Sequence, residues 1–203
     1  MDTSRSRSPI AVITDSCADL PPQLAREMGI YIIPLQIIFS DRAFSDGVDI
    51  TPDEVYQRLP QEVPKTSLPT GDAVLQVLRQ VREDGYERAI IITFSSGLSG
   101  TFHFVEGIAA EFSGLETAAF DTLSGSLGTG AVALRTAQLA AAGRSWEALL
   151  ETVPRLIANV RVFFCVNTLE YLKKGGRIGL ISSIAGTMLQ IKPVLTFAPD
   201  GQL

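Results

Sequence analysis

Three short apolar runs in this chain each end in a pair of polar residues. Residues 10–14 run into Asp15-Ser16, residues 89–94 into Ser95-Ser96, and residues 117–120 into Asp121-Thr122. A run of four to six such residues without polar alternation is what a strand buried on both faces requires. A parallel sheet covered by helices supplies that environment. Between the runs the apolar spacing changes to that of a helix. Val74, Val77, Leu78 and Val81 share one face, and so do Phe104, Val105, Ile108, Ala109 and Phe112. Strand and helix alternate, so the pattern predicts an α/β fold with a mainly parallel sheet. In an open sheet of this kind the ligand crevice lies beyond the carboxyl ends of the strands. The three polar pairs are therefore predicted to line one site.

Local punctuation sets the expected elements. A helix starts at Leu20-Pro21-Pro22, runs to about Met28 and stops at Gly29. Residues 31–39 read as a strand and 40–45 as a turn. Thr51-Pro52-Asp53-Glu54 opens a helix, with Thr as cap, Pro in first place and Glu three residues after the cap. Gly85 and Gly143 end the helices before them. Trp146, Leu149, Leu150, Val153 and Ile157 mark a further helix, with a kink expected at Pro154. After about Asn159 the texture changes to a strand at 162–166, a basic glycine loop at 173–177, a helix candidate at 182–190 and a strand at 193–197. Residues 1–9, rich in Ser and Arg, are expected to be a disordered tail. A first α/β unit is predicted over 10–158 and a second over 159–203. The sequence stops just past a hairpin-turn signal, Asp200-Gly201, so the second unit is expected to be C-terminally incomplete. Strands without partners would favour a homodimer.

Composition narrows the function classes. With 203 residues and 46% hydrophobic content, the chain can bury a sizeable core. A net charge of -5 argues against nucleic acid, which demands clustered Lys and Arg. The longest apolar stretch, 30–39, is broken by Pro34 and Gln36 and is too short to span a bilayer. No signal peptide opens the sequence. Cys17 and Cys165 sit in apolar contexts and are expected to be reduced and buried, which fits a cytoplasmic protein. No cofactor and no metal site is predicted.

The most informative motif is Ser95-Ser96-Gly97-Leu98-Ser99-Gly100-Thr101, between a strand and a helix. Such a loop places hydroxyls and free N–H groups at a helix N-terminus, which makes an anion site. No general base accompanies it, and Ser96 lacks the Gly-x-Ser-x-Gly elbow of a nucleophile. The predicted chemistry is the holding of an anion rather than bond breaking. The plainer alternative is a helix cap and a turn. Asp15 and Asp121 read either as metal ligands or, more commonly, as acceptors of loop N–H groups. His103, the single histidine, reads as a helix residue. Two further polar motifs stand out. Lys65-Thr66-Ser67-Leu68-Pro69-Thr70 otherwise reads as a turn into a helix cap. Tyr171-Leu172-Lys173-Lys174-Gly175-Gly176-Arg177-Ile178 otherwise reads as a solvated turn.

Taken with Thr14-Asp15-Ser16, Asp121-Thr122 and Lys192-Pro193-Val194-Leu195, these motifs resemble the DegV family from Ile10 onward. That family comprises fatty-acid-binding proteins that serve bacterial fatty acid kinases. The resemblance implies a three-layer α/β/α domain beside a smaller α/β domain. It implies a long-chain fatty acid between the two, with its carboxylate held by hydroxyls. A separate kinase subunit would phosphorylate that carboxylate to an acyl phosphate. By position, Thr66, Ser67, Ser96 and Gly97 would bind the carboxylate, helped by N–H groups near Gly97. Arg177 would face the kinase or the developing phosphate. Two departures stand out. Phe102-His103-Phe104 is bulkier than the family pattern and would reshape the tunnel. His103 also does not match the family's histidine loop, which belongs to a longer chain. The reading is a lipid-binding protein without catalysis of its own. Alternatives are an α/β enzyme or regulator of a sugar phosphate or nucleotide, though Gly-x-Gly-x-x-Gly and Walker loops are absent, and a truncated remnant that binds no ligand.

Overall fold

The computed structural model describes residues 10–179 and 192–203. Strand β1 (Ile10–Asp15) leads through a 3-10 turn (Ser16–Ala18) and α1 (Pro22–Met28) to β2 (Ile30–Ile33). A small excursion follows: β3 (Gln36–Ile38), β4 (Ala43–Ser45), α2 (Pro52–Arg58) and β5 (Lys65–Ser67). The main layer resumes with α3 (Gly71–Glu83), β6 (Arg88–Thr93), α4 (Thr101–Glu111), β7 (Glu116–Asp121), α5 (Leu127–Ala141) and α6 (Trp146–Asn159). Last come β8 (Phe164–Cys165), α7 (Glu170–Lys174) and β9 (Val194–Leu195).

The main sheet has the order β2-β1-β6-β7 and is parallel throughout. Both its faces are covered, which is why the apolar runs show no alternation. Val12, Ile90 and Ile92 face Val132, Leu149 and Val153 of α5 and α6. Ala11, Ile13 and Ile91 face Val74, Leu78 and Val105 of α3 and α4. The predicted α/β class with a parallel sheet is therefore what forms. Helix punctuation also follows the residues. The Thr51 hydroxyl accepts from Glu54 N–H, and the Glu54 carboxylate accepts from Thr51 N–H. Gly29 ends α1 at φ 64°, a left-handed conformation that glycine adopts without strain.

Four expectations are corrected. The predicted strand at 31–39 is two strands in two sheets. Pro34, with no N–H to give, ends the parallel ladder, and Gln36 onward joins an antiparallel sheet of order β4-β3-β5. The predicted turn at 40–45 ends in β4, whose pairing with β3 buries Phe44 beside Phe39 and Ile50. The Arg58 guanidinium caps that small core, 3.7 Å above the Phe39 ring. In the basic glycine loop, Lys173 and Lys174 close α7, where Glu170 pairs with Lys174 one turn away. Finally, Cys165 is exposed, because among the described residues β8 pairs only with β9 and presents Cys165 beside the exposed Val194. Cys17 is partly buried. The helix runs through Pro154 as one element. The tail at 1–9 and the helix candidate at 182–190 lie outside the described residues. Among the described residues no helix is long and apolar enough to cross a membrane.

Candidate functional site at the carboxyl ends of the sheet

The strand order places a topological switch point between β1 and β6. The chain leaves β1 toward β2 on one side and returns to β6 on the other. Crevices open at such points. The loops that meet there are held together by two carboxylates. Asp15, fully buried at the end of β1, accepts Phe94 N–H and Cys17 N–H, both at 2.9 Å. Burial raises its pKa from 3.8 to about 7. The two N–H bonds oppose that shift, while Asp19 and Asp46 add to it. Asp121, at the end of β7, accepts Ser96 N–H at 3.2 and 3.3 Å and Leu123 N–H at 2.9 Å. Both aspartates thus serve as loop acceptors, and the three polar pairs converge as expected.

Ser95 is the buried hub of the loop. Its N–H donates to the Ser124 carbonyl at 2.7 Å. Its hydroxyl donates to the Gly201 carbonyl at 2.6 Å and accepts Gly97 N–H at 3.1 Å. The expected free N–H groups near Gly97 are therefore corrected. The amides of Phe94, Ser96 and Gly97 all have acceptors within the protein. A buried N–H left open costs about as much as a lost hydrogen bond, and carboxylates stand within reach. The Ser96 hydroxyl, half-buried, takes no partner among the described residues.

Of the other predicted residues, Arg177 bonds to this loop, while Thr66 and Ser67 are tied to it only through the neighbouring Leu68. Thr66 and Ser67 are exposed on β5. They do not form the turn suggested as an alternative, and the helix cap is Thr70, which accepts Ala73 N–H at 3.1 Å. Leu68, next after β5, packs against Gly100, so that a Cβ built there would lie 3.7 Å from Leu68 Cδ2. Arg177 Nε donates to the Leu98 carbonyl at 3.3 Å, and Nη1 donates to the Gly175 carbonyl at 2.6 Å. Gly97 lies beneath the turn at 198–202, which is closed by Ala198 N–H to Gln202 O at 2.7 Å. A Cβ on Gly97 would stand 2.5 Å from the Asp200 carbonyl oxygen. Close packing is thus one reason for this glycine.

Beside the loop lies a cavity of about 340 Å³ that no sequence signal announced. Its walls come from Thr122, Leu123 and Ser124, from Ile157 and Ala158 in α6 and Val160 to Val162 just after it, and from Thr196 to Pro199 after β9. Residues so far apart in the chain carry no shared spacing. The volume falls at the low end of small-molecule sites. His103 is exposed and Phe104 packs in the α3/α4 core, so neither lines this cavity.

The family model described as "Uncharacterised protein, DegV family" matches residues 9–203. A DegV domain-containing protein of Clostridium acetobutylicum is 38% identical over 192 residues, which is 95% of this chain and 68% of that protein. A solved fatty-acid-binding DegV family protein of Thermus thermophilus superimposes with a TM-score of 0.85 at 37% identity, covering 95% of this chain and 69% of that one. A stearic-acid-binding protein of Eubacterium ventriosum superimposes with a TM-score of 0.85 at 29% identity, over 94% and 68%.

Proposed function

The chain belongs to the DegV family, and from that premise we propose that it binds a long-chain fatty acid and presents the carboxylate to a separate kinase subunit. One observation carries this reading: the Ser96 hydroxyl, without a partner among the described residues, stands in a loop bonded directly to the wall of a mainly apolar cavity. The acyl chain occupies the cavity, and the hydroxyls of Ser96, Thr66 and Ser67 hold the carboxylate, with Gly97 allowing close approach. Burying about fourteen methylenes gains roughly 11 kcal/mol before ordering costs. The head group therefore mainly sets register. Neutral donors suit that task, because a bound cation would lower the nucleophilicity of the carboxylate oxygen toward the phosphoryl group. Arg177, at the rim of the loop, faces the kinase and the phosphate as it is transferred. The phosphoryl donor and its chemistry belong to the partner, and the protein works in the cytoplasm.

The reading is tested by mass spectrometry of lipid extracted from the purified protein, followed by calorimetry. Ser96→Ala and Thr66→Ala each remove one donor from a desolvated carboxylate, so each is expected to weaken fatty-acid binding roughly tenfold. Affinity unchanged in both variants would falsify the carboxylate assignment. A phosphorylated metabolite in place of a fatty acid would transfer the site to the sugar phosphate or nucleotide reading.

A further inference from the structure

Loops that hold phosphate leave their backbone N–H groups open toward the ligand. In this crevice the corresponding groups are closed by the protein's own carboxylates and a serine hydroxyl. Phe94 N–H is held by Asp15, Ser96 N–H and Leu123 N–H by Asp121, and Gly97 N–H by Ser95. Thr93 pairs with Asp121 across β6 and β7, so the Asp121 carboxylate flanks the base of the Ser95-Ser96 loop. Asp15 flanks it from β1, with Asp19 and Asp46 close enough to perturb it. A cation among these loops is Arg177, whose guanidinium is already bonded to the Leu98 and Gly175 carbonyls.

We propose that Asp121 is a specificity-determining residue that admits a carboxylate head group at Ser96 and rejects a phosphate one. This rests on the reading that the head group binds at Ser96. A carboxylate brings one charge and is satisfied by hydroxyls. A phosphate monoester brings up to two charges and three acceptor oxygens, which call for N–H donors. Ser96 N–H is not available while Asp121 holds it. Displacing Asp121 from Ser96 N–H would leave a half-buried carboxylate with the Leu123 N–H bond but without the Ser96 one, beside a dianion. The same geometry gives the site a direction. An acyl phosphate carries more negative charge than the fatty acid it comes from, so it is held less tightly and leaves.

The 203-residue protein is titrated by calorimetry with palmitate and with hexadecyl phosphate, the latter below its micelle concentration, at pH 8 and low salt. The wild type should bind palmitate at least about tenfold more tightly, the order expected for one extra like charge at a partly solvated site. Asp121→Asn removes the charge and keeps Oδ1, which can still accept both Ser96 N–H and Leu123 N–H, at the loss of the 3.3 Å contact from Ser96 N–H to Oδ2. It should tighten hexadecyl phosphate about tenfold and leave palmitate within about threefold. A second measurement needs no variant. Between pH 5 and 8 the wild-type preference for palmitate should grow as the phosphate takes its second charge near pH 6 and Asp15 ionises; the other charged groups facing this loop are Asp19, Asp46, Asp121 and Arg177. Equal wild-type affinities, a preference flat with pH, or an undiminished gap in Asp121→Asn overturns the proposal. A wild type that binds no palmitate overturns the underlying reading, and this inference with it.

Discussion

Gly97→Ala measures how firmly the turn at 198–202 is seated on the Ser95-Ser96 loop. A Cβ at this position would stand 2.5 Å from the Asp200 carbonyl oxygen, 2.6 Å from the Gly201 carbonyl carbon and 2.8 Å from the Gln202 nitrogen. All three are backbone atoms, so no side-chain rotation relieves the clash. Gly97 does not have a positive φ, so alanine's own backbone is unstrained and the cost is steric. Insertion of one carbon into packed surroundings costs roughly 1–3 kcal/mol. If the turn moves away, the 2.6 Å bond from Ser95 to Gly201 is lost as well, which adds about 1 kcal/mol. Gly107→Ala is the control. It lies in the middle of α4 with nothing within 4 Å of its would-be Cβ, and helix propensity alone should stabilise it by about 1 kcal/mol. In urea unfolding, with a slope of about 2–3 kcal/mol/M, the Gly97→Ala midpoint should fall by roughly 1 M and the Gly107→Ala midpoint should rise slightly. Amide exchange at Gly201, whose N–H bonds to Ala198 O at 2.9 Å, should accelerate in Gly97→Ala alone. A Gly97→Ala protein of wild-type stability with unchanged exchange at Gly201 would refute the seating.

What could be read from the sequence is what local chemistry decides. The runs before Asp15, Ser95 and Asp121 could be assigned to buried parallel strands because burial on both faces removes alternation, and the sheet has that form. The Thr51 cap and the Gly29 stop depend on neighbours within four residues, so they too were legible. The small sheet was not, because β3, β4 and β5 are three residues each and their apolar signal reduces to Ile37, Ile38 and Phe44. A strand that short has no measurable period. The convergence of Asp15, Ser95-Ser96 and Asp121 followed from the rule for strand ends, but the direction of the amides did not. Whether Ser96 N–H faces a ligand or Asp121 depends on a pairing 25 residues away. The cavity depends on longer separations still, joining Thr122 to Thr196. Cys165 was misjudged because its neighbours in sequence, Phe164 and Val166, are apolar, whereas its exposure is set by a two-stranded pair that leaves one side open.

Two further outcomes are expected. With a disulfide-exchange reagent at pH 8, Cys165 should react rapidly and Cys17 slowly. Burial, then the charges of Asp15, Asp19 and Asp46, hold the Cys17 thiol well above its usual pKa, whereas Cys165 is exposed. Equal rates would contradict the placement of either thiol. The second outcome concerns Asp15, whose pKa in the fold, about 7, stands above the 3.8 of the free group because burial outweighs its two N–H bonds. The raised value means that folding favours the protonated form. The stability associated with it is complete below pH 3.8 and is lost as pH rises through about 7, by roughly 4 kcal/mol at full ionisation. This runs against the usual acid lability of paired carboxylates. Asp15→Asn cannot ionise, but it turns an amide NH2 toward either Phe94 N–H or Cys17 N–H, which costs about 1–3 kcal/mol. The wild type should therefore be the more stable protein at pH 4, and the gap should close or reverse by pH 8. Urea midpoints for the two proteins at half-unit pH intervals decide the matter. Curves that run parallel from pH 4 to 8 would show that Asp15 keeps an ordinary carboxylate pKa, and that the crevice is better solvated than its packing implies.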